Sequence, residues 1–341
     1  MSKAALDTLF LPLGNGDIAS TGKVLFLGAA YHPTLSHLKS CEFWQPFKPV
    51  ADTLLGTGPL HPDIPSSGIY DLVLVHIPKQ ADEARFWLAR ALSLLSANGI
   101  LLAAAGNDAG GARIKGWMEE LGFDVQSLSK NKARAVWGRR PDTPNVKLAD
   151  AWISQGSPRD FEIMDGFSFE TQPGVFSWDR LDAGSRLLIE NFPVTFSGTG
   201  ADFGAGIGVL SHAVLSRGGG VSELHLVEAD SRALGFAQKN LSALAGKTKI
   251  QGHWHDLSKP LDSVPVFDFI VMNPPFHQGS AHNIGIGRVF IENAAHHLKK
   301  GGMLYMVANT HLPYEEVLAH YFVSHQIRIQ KDGFKVIEAK K

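Results

Sequence analysis

Short apolar runs of strand length alternate with stretches of helical periodicity along the whole chain. Early on, Lys23-Val24-Leu25-Phe26-Leu27-Gly28-Ala29-Ala30 reads as a buried strand closing in a tight turn. Cys41-Glu42-Phe43-Trp44 reads as a short strand, and Tyr70-Asp71-Leu72-Val73-Leu74-Val75-His76-Ile77-Pro78 as another buried one. Phe86, Leu88, Ala91, Leu92 and Leu95 recur on one face and predict a helix over 81–95, ended by Asn98-Gly99. Residues 100–104 form the next strand, 110–121 a helix and 133–138 a last strand. Strand and helix in alternation are the grammar of a parallel sheet with both faces covered. Arg139-Arg140-Pro141-Asp142-Thr143-Pro144-Asn145 breaks the rhythm, and we read it as a linker between domains 1–145 and 146–341.

The second half opens on Phe161-Glu162-Ile163-Met164-Asp165-Gly166-Phe167-Ser168-Phe169-Glu170-Thr171, two alternating arms around Asp-Gly, the pattern of a β-hairpin. A helix starts near Arg186, with Asp182 or Ser185 able to cap it, so hairpin and helix form an entry lid before the main sheet. Then come a glycine loop over 204–208, a helix over 209–215, the strand Leu224-His225-Leu226-Val227-Glu228 and a helix over 230–244. A strand tip at His253-Trp254-His255-Asp256 leads to Phe267-Asp268-Phe269-Ile270-Val271-Met272-Asn273-Pro274-Pro275-Phe276. A helix near 287–298, the strand 302–309 and a final helix with closing strands complete the chain.

The halves echo one another. Tyr70-Asp71 runs on to Pro78 as Phe267-Asp268 runs on to Pro275, and each is followed by a helix, a Gly turn and a strand ending in Asn, at Asn107 and Asn309. The first half keeps this skeleton but has His76-Ile77-Pro78 in place of Asn273-Pro274-Pro275, and Gly28-Ala29-Ala30 in place of the glycine triplet. The expected fold is α/β: two tandem Rossmann-like domains, the first degenerate, the second a mostly parallel seven-stranded sheet behind an N-terminal β-hairpin.

Composition narrows the chemistry. With 341 residues, 44% hydrophobic and 19% charged, the chain is globular and long enough for two domains. A net charge of −1 gives no general pull on nucleic acid, so RNA would have to be recognised selectively. Cys41 is the only cysteine, which excludes an intramolecular disulfide and fits a cytoplasmic setting. Neither a secretory h-region nor an 18-residue apolar run is present, so no membrane association is expected. His253/His255 and His296/His297 lack carboxylate or cysteine partners at ligand spacing, so no metal is expected. The cluster Lys130, Lys132, Arg134, Arg139 and Arg140 reads as a solvated surface more readily than as a phosphate-binding strip.

The chemistry concentrates where the strand 267–272 ends. Proline can continue neither a strand nor a helix here, so Asn273-Pro274-Pro275-Phe276 leaves the sheet as a stiff loop. That is where open α/β sheets bind ligands, although a Pro-rich turn after an ordinary buried strand explains this segment alone equally well. Glycines 204, 206 and 208 allow close backbone approach and leave helix N–H groups facing a ligand. Glu228 ends the next strand at the spacing of a ribose-binding acid, and Asp256 is placed to face an adenine. Asp202 would repel a pyrophosphate but could bond an ammonium group. No Gly-Lys-Ser/Thr offers a triphosphate cradle. Together these features describe S-adenosylmethionine better than a dinucleotide.

On these motifs the second half resembles class I S-adenosylmethionine-dependent methyltransferases acting on exocyclic nitrogens. It most resembles the ribosomal RNA small subunit methyltransferase C family, which modifies guanine N2 in 16S ribosomal RNA. The resemblance rests on Leu181-Asp182-x-Gly184-Ser185, Asp202-x-Gly204-x-Gly206-x-Gly208, Asn273-Pro274-Pro275-Phe276-His277 and Val307-Ala308-Asn309-x-x-Leu312-Pro313-Tyr314. Ala205, where Cys is usual, and Gln278, where Asp is common, depart from the pattern.

The resemblance implies a degenerate first methyltransferase-like domain and a ribosomal RNA or small-subunit substrate, with the protein a monomer or weak dimer. It implies cofactor contacts from Asp202, Gly204, Gly206, Gly208, Glu228, Asp256 and Asn273. Asn273 and Pro274 would then receive the amine, with Phe276 stacking on the base and Pro275 and His277 beside it. The rivals are another amino-methyltransferase (23S guanine-N2, adenine-N6 or protein glutamine-N5) and a non-catalytic RNA-binding assembly factor.

Overall fold

A computed structural model describes residues 2–19, 22–164, 166–262, 264–275 and 281–341, with side chains from residue 285 onward in the last stretch. It falls into two units, Met1–Pro158 with Gln172–Gly174, and Arg159–Thr171 with Val175–Lys341.

The first unit is built on β1 (Val24–Leu27), β2 (Cys41–Trp44), β3 (Leu60–His61), β4 (Tyr70–His76), β5 (Leu95–Gly106), β6 (Gln126–Lys130) and β7 (Ala133–Arg139). They lie in the order β3-β2-β1-β4-β5-β7-β6, all parallel except β7, which runs antiparallel to both its neighbours. The predicted helix is Ala81–Leu94, and the helix expected over 110–121 is shorter, Ile114–Glu120, after a 3-10 turn at Asn107–Ala109. Helices Lys3–Leu9 and Val146–Gly156 and strand β6 have no counterpart in the sequence reading. Trp152 of Val146–Gly156 is buried with Trp87, Leu88 and Trp117 in the first unit's core.

The second unit carries the hairpin β8 (Arg159–Met164) and β9 (Phe167–Thr171), then β10 (Phe196–Phe203), β11 (Gly219–Glu228), β12 (Lys249–Trp254), β13 (Phe267–Met272), β14 (Leu298–Asn309), β15 (Ser324–Lys331) and β16 (Phe334–Lys340). Its sheet has the order β12-β11-β10-β13-β14-β16-β15, the topology of the first sheet strand for strand. Only β16 runs antiparallel to its neighbours. The central strands are apolar on both faces, as in a sheet covered on both sides, and Phe203, Phe267, Ile270 and Leu304 are fully enclosed.

Strand register makes the repeat measurable. Leu27 pairs with Trp44 and Val75, and Phe203 pairs with Val227 and Met272. His76 therefore occupies the position of Asn273, and Gln45 that of Glu228. The same register puts Gly106, not Asn107, at the position of Asn309, one residue from the alignment expected from sequence. Both copies also share an oddity near the start of the central strand, just before β1 in the first and at an irregularity within β10 in the second. Gly22 and Gly198 have φ of +91° and +82°, and a Cβ at either would collide with Asp71 or Asp268. Those carboxylates accept the N–H of Lys23 at 2.9 Å and of Thr199 at 2.8 Å.

Candidate active site

The order of the second sheet reverses between β10 and β13, and at such a switch point the loops leaving the two strands part and open a crevice. The glycine loop leaves β10 and Asn273-Pro274-Pro275 leaves β13, side by side. Glu228 ends β11, and Asp256 follows the tip of β12. Four loops from adjacent strand ends thus line one edge.

Gly204, Gly206 and Gly208 take φ of +79°, +53° and +90°, the left-handed region a side chain resists. A Cβ at Gly206 would meet nothing within 4 Å, so the loop's open side borders empty space. Gly208 differs, for its Cβ would lie 3.2 Å from Ala237 Cα, so there the glycine serves helix packing.

Glu228 is half-buried and laced to the backbone. Its Oε2 accepts the Gly206 N–H at 2.7 Å, and its Oε1 those of Ala229 at 2.7 Å and Asp230 at 2.8 Å. Burial raises its pKa above the usual carboxylate value despite these bonds. The carboxylate that sequence reading assigned to ribose thus also holds the glycine loop in shape. Asp256 is buried, and its Oδ1 accepts the Ser258 N–H at 2.9 Å; Oδ2 has no partner among the described residues.

Asp202 lies beneath the loop, fully buried near the end of β10. Its Oδ2 accepts the Ser211 N–H at 3.1 Å and the Ser211 hydroxyl at 2.7 Å, tying helix Val209–Ser216 to the strand. Its Oδ1 is buried without a hydrogen-bond partner. Burial pushes its pKa up to about 7; the Ser211 bonds oppose the rise and nearby Glu228 adds to it.

Asn273 is held from the side. Its Nδ2 donates to Asp182 Oδ2 at 2.8 Å and to Ser185 Oγ at 2.9 Å. The same Asp182 oxygen caps helix Ala183–Glu190 by accepting the Ser185 N–H at 2.9 Å. Sequence reading took both residues as helix caps and as part of a family motif, and gave neither a contact with Asn273. Pro274 is buried and Pro275 exposed, while Phe276 and His277 lie outside the described residues.

Asn240 is a second residue that sequence reading missed. Its side chain bonds both the N–H and the carbonyl of Glu170 in β9, and the carbonyl of Ile207 in the glycine loop, at 2.8–3.1 Å. An amide on the inner side of the amphipathic helix Ser231–Leu241 was the available signal. Phe176, Trp178, Arg180 and Asp182 line an open depression of about 550 Å³ beside the cap.

The first unit lacks this machinery. Gln45 turns its amide onto the Ala29 carbonyl at 2.6 Å. His76 is buried, its Nδ1 has no partner, and burial lowers its pKa to about 4. Trp87 stands 2.6 Å from where a Cβ on Gly28 would be, whereas Phe290 is 3.7 Å from the matching point on Gly204. Its edge is sealed.

The remaining charged and histidine candidates have structural surroundings. His253 Nε2 bonds His225 Nδ1 at 2.8 Å, and both ring nitrogens of His297 face backbone carbonyls. No metal-holding group of three or more His, Cys, Asp or Glu occurs among the described residues, nor does a helix long and apolar enough to cross a membrane. Asp268 pairs with Lys299 as well as Thr199. Lys130, Lys132 and Arg139 are exposed around the β6–β7 hairpin, and Arg140 bonds the Leu95 carbonyl at 3.0 Å.

Residues 166–338 match the Methyltransferase small domain family. A Sodalis glossinidius protein named Ribosomal RNA small subunit methyltransferase C is 33% identical over 85% of this chain and 76% of its own length. One of the same name from Pectobacterium atrosepticum is 30% identical over 95% of this chain and 88% of its own. The chain belongs to the ribosomal RNA small subunit methyltransferase C family. It is therefore a methyltransferase. Among solved structures, the T. thermophilus 16S rRNA N2 G1207 methyltransferase, in complex with AdoMet and guanosine, superposes with a TM-score of 0.81 at 24% identity, over 99% of this chain and 91% of that one. That likeness places both units of this methyltransferase C family member in a two-domain methyltransferase fold.

Proposed function

We propose that this protein transfers a methyl group from S-adenosylmethionine to the exocyclic N2 of a guanine in 16S ribosomal RNA, acting in the cytoplasm as a monomer or weak dimer. The observation that carries the reading is the pairing, at one switch point, of a glycine loop open at Gly206 with an Asn-Pro-Pro loop, where the sister copy packs Trp87 on Gly28 and has His76 in place of the amide. The bound guanosine and AdoMet of the T. thermophilus structure support the choice of substrate and cofactor.

The residues present fit the cofactor. The space over Gly206 admits a ligand against the backbone, Glu228 offers a carboxylate to ribose hydroxyls, and Asp256 Oδ2 can accept from an adenine amine. When bound, S-adenosylmethionine supplies a methyl group on a positively charged sulfur. A guanine N2 amine is a weak nucleophile because its lone pair is delocalised into the ring. Asn273 Oδ1 and the Pro274 carbonyl accept its two N–H bonds, which turns the lone pair toward the methyl carbon. Nitrogen bonds that carbon as the carbon–sulfur bond breaks with its electron pair left on sulfur, and the surplus N–H proton passes to solvent. Catalysis here is orientation and charge complementarity. The proposed stacking of Phe276 on the base and the place of His277 beside it rest on sequence.

The test is methyl transfer from labelled cofactor to unmodified 16S RNA and to 30S subunits, followed by nucleoside mass analysis. N2-methylguanosine is the expected product, and Asn273→Ala should abolish it while cofactor binding persists. Label on adenine or on protein would overturn the reading.

A further inference from the structure

We propose that Asp182 sets the polarity of the Asn273 amide, so that its oxygen and not its nitrogen faces the acceptor amine. The inference rests on the reading of Asn273 as the group that receives that amine. A primary amide has two N–H bonds, and Asn273 has both engaged, one by Asp182 Oδ2 at 2.8 Å and one by Ser185 Oγ at 2.9 Å. Rotating the amide by half a turn would bring Oδ1 against both partners. Ser185 could tolerate that, because a hydroxyl donates as readily as it accepts. An ionised carboxylate only accepts, so Asp182 would then face an oxygen with no proton between them. Of the two partners, Asp182 alone can choose.

The choice leaves Asn273 Oδ1 without a partner among the described residues, available to an N–H donor. The carboxylate is itself fixed, since the same Oδ2 caps helix Ala183–Glu190 through the Ser185 N–H. Asp182 is thus a positioning residue, acting through Asn273 across 91 positions of sequence.

Substitutions separate this role from helix capping. Asp182→Ser keeps a good N-cap but shortens the side chain and supplies a group that can also donate. Asp182→Asn can place its Oδ1 where Oδ2 stands and keep both bonds. Ser185→Ala leaves the cap intact and removes the second hold on Nδ2. In the methyl-transfer assay with 16S RNA, Asp182→Ser should lower kcat by about 10²-fold, with KM for RNA and Kd for S-adenosylmethionine within about threefold of wild type. Ser185→Ala should lower kcat by less, and Asp182→Asn should retain most of it. Wild-type turnover in Asp182→Ser, or an Asp182→Asn protein as inactive as Asp182→Ser despite bound cofactor, would overturn the inference. Asn273→Ala in the same series separates the two claims. If it stays active, the role of Asn273 fails; if it is dead while Asp182→Ser is active, only the role of Asp182 fails.

Discussion

Asp202→Asn should make the second unit's stability respond differently to pH, and the size of the effect follows from burial. The carboxyl rises from an ordinary 3.8 to about 7 in the folded chain, with desolvation the main cause. The unfolded chain therefore releases this proton first as pH rises. Its contribution is fully present below 3.8, falls across the interval up to about 7, and is flat above it. At about 1.36 kcal/mol per unit, the full interval is worth on the order of 4 kcal/mol, and the part between pH 5 and 8 about 2–3 kcal/mol. Asparagine cannot ionise, so the variant lacks this slope. Its own cost, a buried N–H pair where Oδ1 now stands, is about 1–3 kcal/mol and independent of pH. Calorimetry at pH 5, 6, 7 and 8, read on the transition that S-adenosylmethionine shifts, should show the variant gaining about 2–3 kcal/mol on wild type as pH rises. A difference constant from pH 5 to 8 would mean that Asp202 is ionised throughout, and the account of it as a desolvated acid would fall.

The glycines of the loop should divide by role. Gly206→Ala meets open space and should cost the fold only the left-handed strain of about 1–2 kcal/mol, while cutting S-adenosylmethionine affinity sharply in a calorimetric titration. Gly208→Ala, pressed on Ala237, should lower stability further, because helix Ser231–Leu241 must shift to accept it. Trp87→Ala should destabilise the first unit by about 3–5 kcal/mol in urea unfolding yet open no second cofactor site. Gln45 and His76 still stand where Glu228 and Asn273 would be needed, so stoichiometry should remain one cofactor per chain.

Apolar runs made the interior strands legible, because parallel strands covered on both faces carry near-continuous hydrophobic sequence. β6, Gln126-Ser127-Leu128-Ser129-Lys130, is an edge strand with one half-buried residue and no such signal, so only its partner β7 was visible. The off-by-one placement of Asn107 has a similar origin. Strand ends were matched by residue type, whereas the ladder, which carries the same irregularity in both copies, sets the true register. Sequence placed Glu228 and Asp256 at strand ends but could not show Glu228 accepting three backbone N–H bonds. Nor could spacing reveal that Asp202 turns under the loop onto Ser211, because adjacency to a glycine triplet does not fix a rotamer.

The two copies act as a control on one another. What both keep follows from folding alone: the Gly22/Asp71 and Gly198/Asp268 pairs fix the backbone near the start of the central strand in both units alike. Asp268, one residue into the strand that leads to Asn273, thus has a structural role that Asp71 repeats in the first copy. What only the second copy keeps is, on the proposed reading, the set that would serve a ligand: Glu228 against Gln45, Asn273 against His76, and a distant Phe290 at Gly204 against a close Trp87 at Gly28. His76 shows why the loss is complete. Buried, neutral and with Nδ1 unpartnered, it has the stiffness of the Asn273 position without an amide oxygen turned outward. On the proposed reading a proline at the position of Pro275 is not enough, since Pro78 survives in the first copy while Ile77 replaces Pro274 and His76 replaces Asn273; the loop also needs the amide and the carboxylate that orients it.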